Sequence, residues 1–329
     1  MKRNLFYFKG KTEKFGLNII DIVFIIFCFI IFCYYYIEIT RLENPVHDAA
    51  VYLLNAEAWL YNTQLDNNYR PPMISWLIAA IWSFSGENWL IVKYLQSIFT
   101  IGAGLILYLL LKKHKSRVFA LAVVVLTMVN ASVFSYSTQI ITEGLALFFL
   151  LLTLYLLDIK KESCWFLAGI AIGLTFASRY PIVFQSLVIF IVECIIIRKP
   201  NLILRTILGA SISISLVVLI VFLKSGSFET ALAKDTVFSI FLSPFYLANS
   251  IDIWGFVFLM LPIAFLYKKT YVDKFNYIFI GWFLFSMMFW SANLTNHEYR
   301  FTIQFTPAVY FLSVLGIENF FKYLKGLHQ

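Results

Sequence analysis

Charge is what this chain has least of. Only 13% of its 329 residues are Asp, Glu, Lys or Arg, about half the share of an ordinary soluble domain. That scarcity, with a mean hydropathy of +0.81, excludes a solvated globule. Cysteine is also sparse. Cys28, Cys33, Cys164 and Cys194 fall in or at the ends of apolar runs. They lack metal-ligand spacing and form no disulfide framework, so they read as small core residues. The sequence shows no low-complexity linker, no repeat and no appended soluble domain. One domain over residues 1–329 is expected.

What is present is apolar sequence in long runs. Runs of about 18 residues or more can cross a hydrocarbon core as helices. Backbone polar groups in lipid must be satisfied within the segment, so these runs must be helical. About ten spans are expected, near 17–39, 89–111, 118–134, 143–158, 163–179, 182–197, 202–223, 250–267, 275–292 and 304–321. The first is too long for the apolar part of a signal peptide and reads as a permanent span. The fold class is therefore all-α, a polytopic integral membrane protein.

The net charge is +8, but the basic residues sit in short clusters between apolar runs. That is a topology signal and does not point to nucleic acid. Lys2, Arg3, Lys9, Lys11 and Lys14 precede the first span, and Lys112, Lys113, Lys115 and Arg117 follow the second. Lys160–Lys161, Arg198–Lys199, Lys268–Lys269 with Lys274, and Lys322 with Lys325 complete the set. All fall on one side if both termini are cytoplasmic. The expected location is the plasma membrane, multi-pass, with the long loops at 41–88 and 224–249 outside. Long loops on one face usually carry function.

The first external loop holds His47, Asp48, Tyr52 and, later, Arg70-Pro71-Pro72. Asp48, Tyr52, Asn55 and Trp59 recur at helical spacing, which predicts a short interfacial helix over 47–61. A second is expected over 73–85, led by the prolines. Asp48 could cap the first helix or act as a general base. Arg70 could reach lipid headgroups, or join the second helix's N-terminus in binding phosphate. Glu143, after Thr142, opens a span, where it either complements the helix dipole or contacts a sugar. Arg179-Tyr180-Pro181 closes another span at a sharp turn. The last external loop offers His297, Glu298 and Arg300, and Pro307 begins or kinks the final span. Glu193 and Arg205 flank a short turn and are expected to pair across it. Gly169 and Gly173 read as a helix-packing pair.

Taken in order, these residues resemble the C-type superfamily of integral-membrane glycosyltransferases. The closest branch holds protein O-mannosyltransferases, lipid A aminoarabinose transferases and transferases of lipopolysaccharide cores. The matching elements are Asp48, Tyr52, Arg70-Pro71-Pro72, Thr142-Glu143, Arg179-Tyr180, and His297-Glu298-Tyr299-Arg300 with Pro307. Two features depart from the pattern. Ala49 stands where many relatives carry a second acid, and the residues include no counterpart of the large C-terminal external domain.

The resemblance implies a polyprenyl-phosphate sugar donor, a glycan, lipid or protein acceptor, and inverting transfer on the extracytoplasmic face. Asp48 would be the base. Arg70, Arg179, Arg300 and His297 would bind the lipid phosphate, while Tyr52, Glu143, Tyr180 and Glu298 would shape the sugar or acceptor pocket. No cofactor is expected to be required, and no metal ligands are assigned. A divalent cation held by Asp48, His47, Glu143, His297 and Glu298 is the alternative. Rival readings are a transporter of lipid-linked sugar and a non-catalytic partner that binds the lipid carrier.

Overall fold

The computed structural model describes residues 18–41, 48–67, 69–228, 245–291 and 298–327. All regular structure among them is helical. Long helices are α1 (Ile19–Arg41), α4 (Trp89–His114), α7 (Glu143–Asp158), α8 (Glu162–Ser178), α9 (Val183–Ile197), α10 (Pro200–Ser225), α14 (Lys274–Ser291) and α15 (Thr306–Leu327). Among the described residues, four stretches have both the length and the apolarity to cross a bilayer by themselves: α1, α4, Tyr180–Ile197 and α10. The outward faces of α1 and α10 are apolar, with Ile25, Phe29, Ile30, Leu216 and Leu223 all exposed. Hydrocarbon suits such faces and water does not.

Two expected spans are not single helices. The third divides at Asn130 into α5 (Arg117–Val129) and α6 (Ala131–Tyr136). The Asn130 side chain accepts from the amides of Ser132 and Val133, so it caps the second piece. The eighth, expected over 250–267, follows the short α11 (Phe245–Ala248) and is α12 (Ser250–Trp254), a 3-10 turn (Phe256–Met260) and α13 (Leu261–Leu266). Gly255 at φ 71° ends α12, and Pro262 lies in the first turn of α13. Hydropathy does not register this break, because both pieces are apolar. Freed carbonyls must find donors inside the protein. Asn130 Nδ2 donates to Ile253 O at 2.6 Å, and Tyr310 Oη of α15 donates to Trp254 O at 3.2 Å.

Small residues set how closely the bundle packs. A Cβ at Gly169 would overlap the Thr206 carbonyl, and one at Gly209 the Phe166 carbonyl. The expected packing role of Gly169 and Gly173 is thus seen where α8 crosses α10. The Glu193–Arg205 pair does not form. Arg205 reaches Glu162 at 3.5 Å instead, because α10 lies along α8.

The two short helices expected in the first long loop are present as α2 (Asp48–Leu60) and α3 (Met73–Ser85). They are packed down by an apolar cluster of their own. Tyr52, Ala56, Ile74, Ile78 and Trp82 meet Val92 of α4 with Leu145 and Phe149 of α7. Ser75 Oγ donates to Tyr52 O at 3.0 Å, tying α3 to α2. Asn55 exchanges two hydrogen bonds with the Asn67 backbone, at 2.8 and 3.1 Å. These contacts fix where the chain stands as it enters Arg70.

Candidate active site

The first residue of α2, Asp48, points at two arginines. Its Oδ1 lies 2.6 Å from Arg70 Nη2, and its Oδ2 lies 2.8 Å from Arg300 Nη1. The side chain is therefore the counterion of two guanidiniums rather than a helix cap. Arg70 likewise reaches across the loop to Asp48 and not to the N-terminus of α3, where Pro72 makes no side-chain cap. The backbone carbonyl of Arg70 accepts from Tyr180 Oη at 3.4 Å, which links this loop to the turn after α8.

Glu143 opens α7 and is 1% exposed. Its carboxylate pairs with Arg179 Nη1, and Thr142 Oγ1 lies 3.4 Å from the same nitrogen. Arg179 caps the C-terminus of α8 in extended backbone geometry, so the guanidinium leaves the helix axis toward α7. A pair buried this deeply stabilises only when both members are present. Removing one costs about 3–5 kcal/mol because it strands the other charge.

Arg300 joins the two groups. It contacts Asp48, lies 3.9 Å from Glu143 Oε1 through Nε, and pairs with Glu298 two residues earlier in the chain. Three guanidiniums thus face three carboxylates. Burial disfavours the charge on Arg300, but Glu143, Asp48 and Glu298 outweigh it and raise its pKa. Burial also pushes Asp48 upward. The hydrogen bond from Arg300 and the charges of Arg70, Arg300 and Arg179 overcome that, and Asp48 sits below the ordinary carboxylate range. Asp48 is ionised at neutral pH.

Tyr52 is 4% exposed and Tyr180 1%, both beside this cluster. Glu298 is half-exposed at its edge. His47, His297 and most of the loop at 224–249 lie outside the described residues. Among the described residues, no group of three or more His, Cys, Asp or Glu side chains gathers as a metal-binding set.

Sequence reasoning missed the aromatic floor. Arg179 lies 5.0 Å and Arg300 5.6 Å from the centre of the Phe301 ring, and Trp290 stacks on that ring at 4.6 Å. Cations over ring faces gain from the ring quadrupole. Tyr246 Oη also supports the site by donating to Glu298 O at 3.3 Å. With 35 Phe in the chain, nothing singles out Phe301 except its place after Arg300.

Residues 69–228 match a family model described as dolichyl-phosphate-mannose-protein mannosyltransferase. No curated protein matches the sequence. Among solved structures, ArnT from Cupriavidus metallidurans in the apo state matches with a TM-score of 0.70 at 11% identity. The match covers 90% of this chain and 59% of that one. At that identity the likeness is one of fold. In its polytopic helical fold and in the family model that its central residues match, the chain resembles the C-type membrane glycosyltransferases, as its motifs suggested.

Proposed function

We propose that this protein is a membrane glycosyltransferase that moves a sugar from a polyprenyl-phosphate donor to an acceptor hydroxyl, with Asp48 as general base. The observation that carries this reading is the seat of Asp48 between Arg70 and Arg300, with Arg179 and Glu143 behind them.

The reaction makes one bond and breaks one. The acceptor oxygen attacks the anomeric carbon, its proton goes to Asp48, and the carbon–oxygen bond to phosphate breaks. The phosphate leaves as an anion and needs cations rather than an acid. Guanidinium offers a planar, permanently charged fork matched to phosphate oxygens. Among the described residues, the Nε groups of Arg70 and Arg179 are buried without a hydrogen-bond partner. A buried donor left unpaired costs about 1–3 kcal/mol, and a phosphate oxygen would remove that cost. Single displacement inverts the anomeric carbon.

The pairing of Asp48 sets an order. A carboxylate held by two guanidiniums is a weak base. A donor phosphate competes for those same guanidiniums and frees the carboxylate oxygens. The donor therefore binds first, and its arrival raises the basicity of Asp48 toward the acceptor. Tyr52, Tyr180, Glu143 and Glu298 border the space in which the sugar would lie. In this scheme the guanidiniums supply the positive charge that the leaving phosphate needs, so no step calls on a metal.

The test is sugar transfer by the full-length protein in detergent, with undecaprenyl-phosphate hexoses and pentoses as donors. Asp48→Asn should lower transfer about 10²–10⁴-fold while the protein still inserts and unfolds cooperatively, at a lower midpoint because Arg70 and Arg300 lose their shared counterion. Turnover close to the parent's would remove Asp48 as the base.

A further inference from the structure

A second lipid-facing feature lies at the other end of the bundle. A groove of about 620 Å³ runs between α9 and α14. Its walls are Val192, Ile195 and Ile280, and Gly281 forms part of its floor. A Cβ at Gly281 would stand 3.0 Å from Val192 Cγ2, so the missing side chain keeps the groove open. Arg198 and Lys274 line the same groove and are both exposed.

Some cations at this end are held by acids. Among the described residues, Arg198, Lys274, Lys160, Lys161 and Lys199 are not, and of these five Arg198 and Lys274 are set apart by the groove they line. Lys112 pairs with Asp21, Lys113 with Asp158, and Lys115 with Asp273. Among the described residues Arg198 and Lys274 enter no ion pair. Asp273 is adjacent to Lys274, yet Lys115 takes its carboxylate. Arg198 also occupies a left-handed backbone position, φ 55°, where the chain leaves α9. Glycine or asparagine is the usual choice there.

The groove is far from the candidate active site. The 15 residues of α9 separate Arg198 from the turn that carries Arg179 and Tyr180, a rise of roughly 22 Å at 1.5 Å per residue. Arg198 Nε donates to Ile195 O at 3.2 Å but meets no acid, and an apolar slot with two such exposed cations at its mouth suits a hydrocarbon chain ending in an anion. We infer that the α9–α14 groove binds an anionic two-chain phospholipid from the leaflet opposite Asp48, with its phosphate at Arg198 and Lys274. This site is separate from the donor site proposed above, and neither proposal depends on the other.

Native mass spectrometry of the full chain in detergent tests it, with dioleoyl phosphatidylglycerol titrated against dioleoyl phosphatidylcholine. The tails are identical, so a difference reads the headgroup. The parent should retain the glycerol lipid preferentially. Arg198→Gln with Lys274→Gln should cut that preference about thirtyfold, the expected worth of two cations near an anionic headgroup. The control, Lys160→Gln with Lys161→Gln, removes the same charge from another exposed turn at this end and should leave the preference intact. Gly281→Leu should lower retention of both lipids. If that variant does not fold, the two charge pairs decide alone. Equal loss in the control would mean diffuse charge attraction and would overturn the site. So would an unchanged preference in the Arg198/Lys274 variant, or undiminished retention in a folded Gly281→Leu protein.

Discussion

The two ends of the bundle both gather acids and bases, but they build them differently. At one end, Lys112, Lys113, His114, Lys115 and Arg117 come from a single turn between α4 and α5. They pair with Asp21, Asp158 and Asp273. At the other, Asp48, Arg70, Glu143, Arg179, Glu298 and Arg300 come from five separate points in the chain. The first set is mostly lysine, a flexible point charge. The second is all arginine on its cationic side, a rigid fork. Contiguous lysines suit a topological anchor, because each need only find some acid nearby. Arginines collected from distant segments hold a fixed geometry, and fixed geometry is what a reacting phosphate requires.

Five measurements would break or sharpen that contrast. The largest effect is expected at Asp48, where asparagine removes the proposed base and should cost about two to four orders of magnitude in transfer. Glu143→Ala comes next. It leaves Arg179 buried and unpaired, and should cost about 3–5 kcal/mol by thermal or denaturant unfolding. Lys113→Gln, at the anchoring end, should cost at most about 1 kcal/mol, because the lysine itself is exposed and Asp158 keeps a second partner. His114 Nε2 remains 2.7 Å from the same Asp158 carboxylate. A Lys113 effect as large as that of Glu143 would erase the distinction between the ends.

The smallest expected effect is a pH response that stays flat. The pKa of Asp48 is lower in the folded chain than its ordinary 3.8. Its stabilising contribution is thus complete above that ordinary value and is lost only as pH falls through the lower folded one. Unfolding scans between pH 8 and 5 should show no loss from this group. In kinetics, kcat/KM reports the free enzyme, so its acid limb should lie below about pH 4, while the limb of kcat should move upward once donor occupies the arginines. Coincident limbs would contradict donor-first binding.

Much of the site was legible because it uses charge where charge is rare. Asp48, Arg70, Glu143, Arg179 and Arg300 stood out against apolar sequence, and the structure brings all five together. Their partnerships were not legible. Asp48 and Glu143 both occupy first-turn positions where capping is the ordinary local role, and both instead serve arginines more than 20 residues away. Phe301 was hidden for the opposite reason, as one phenylalanine among many.

Length and apolar run pattern fixed the helices, because lipid leaves a buried backbone no other way to satisfy its hydrogen bonds. The spacing of charges fixed which loops would matter. Only the folded chain decided that the eighth run breaks at Gly255, since Asn130 and Tyr310 arrive from elsewhere to take up the freed carbonyls. Only the folded chain decided that Asp48 faces Arg70 and Arg300. Their meeting depends on α2 and α3 packing onto α4 and α7 through contacts that no local stretch of sequence contains.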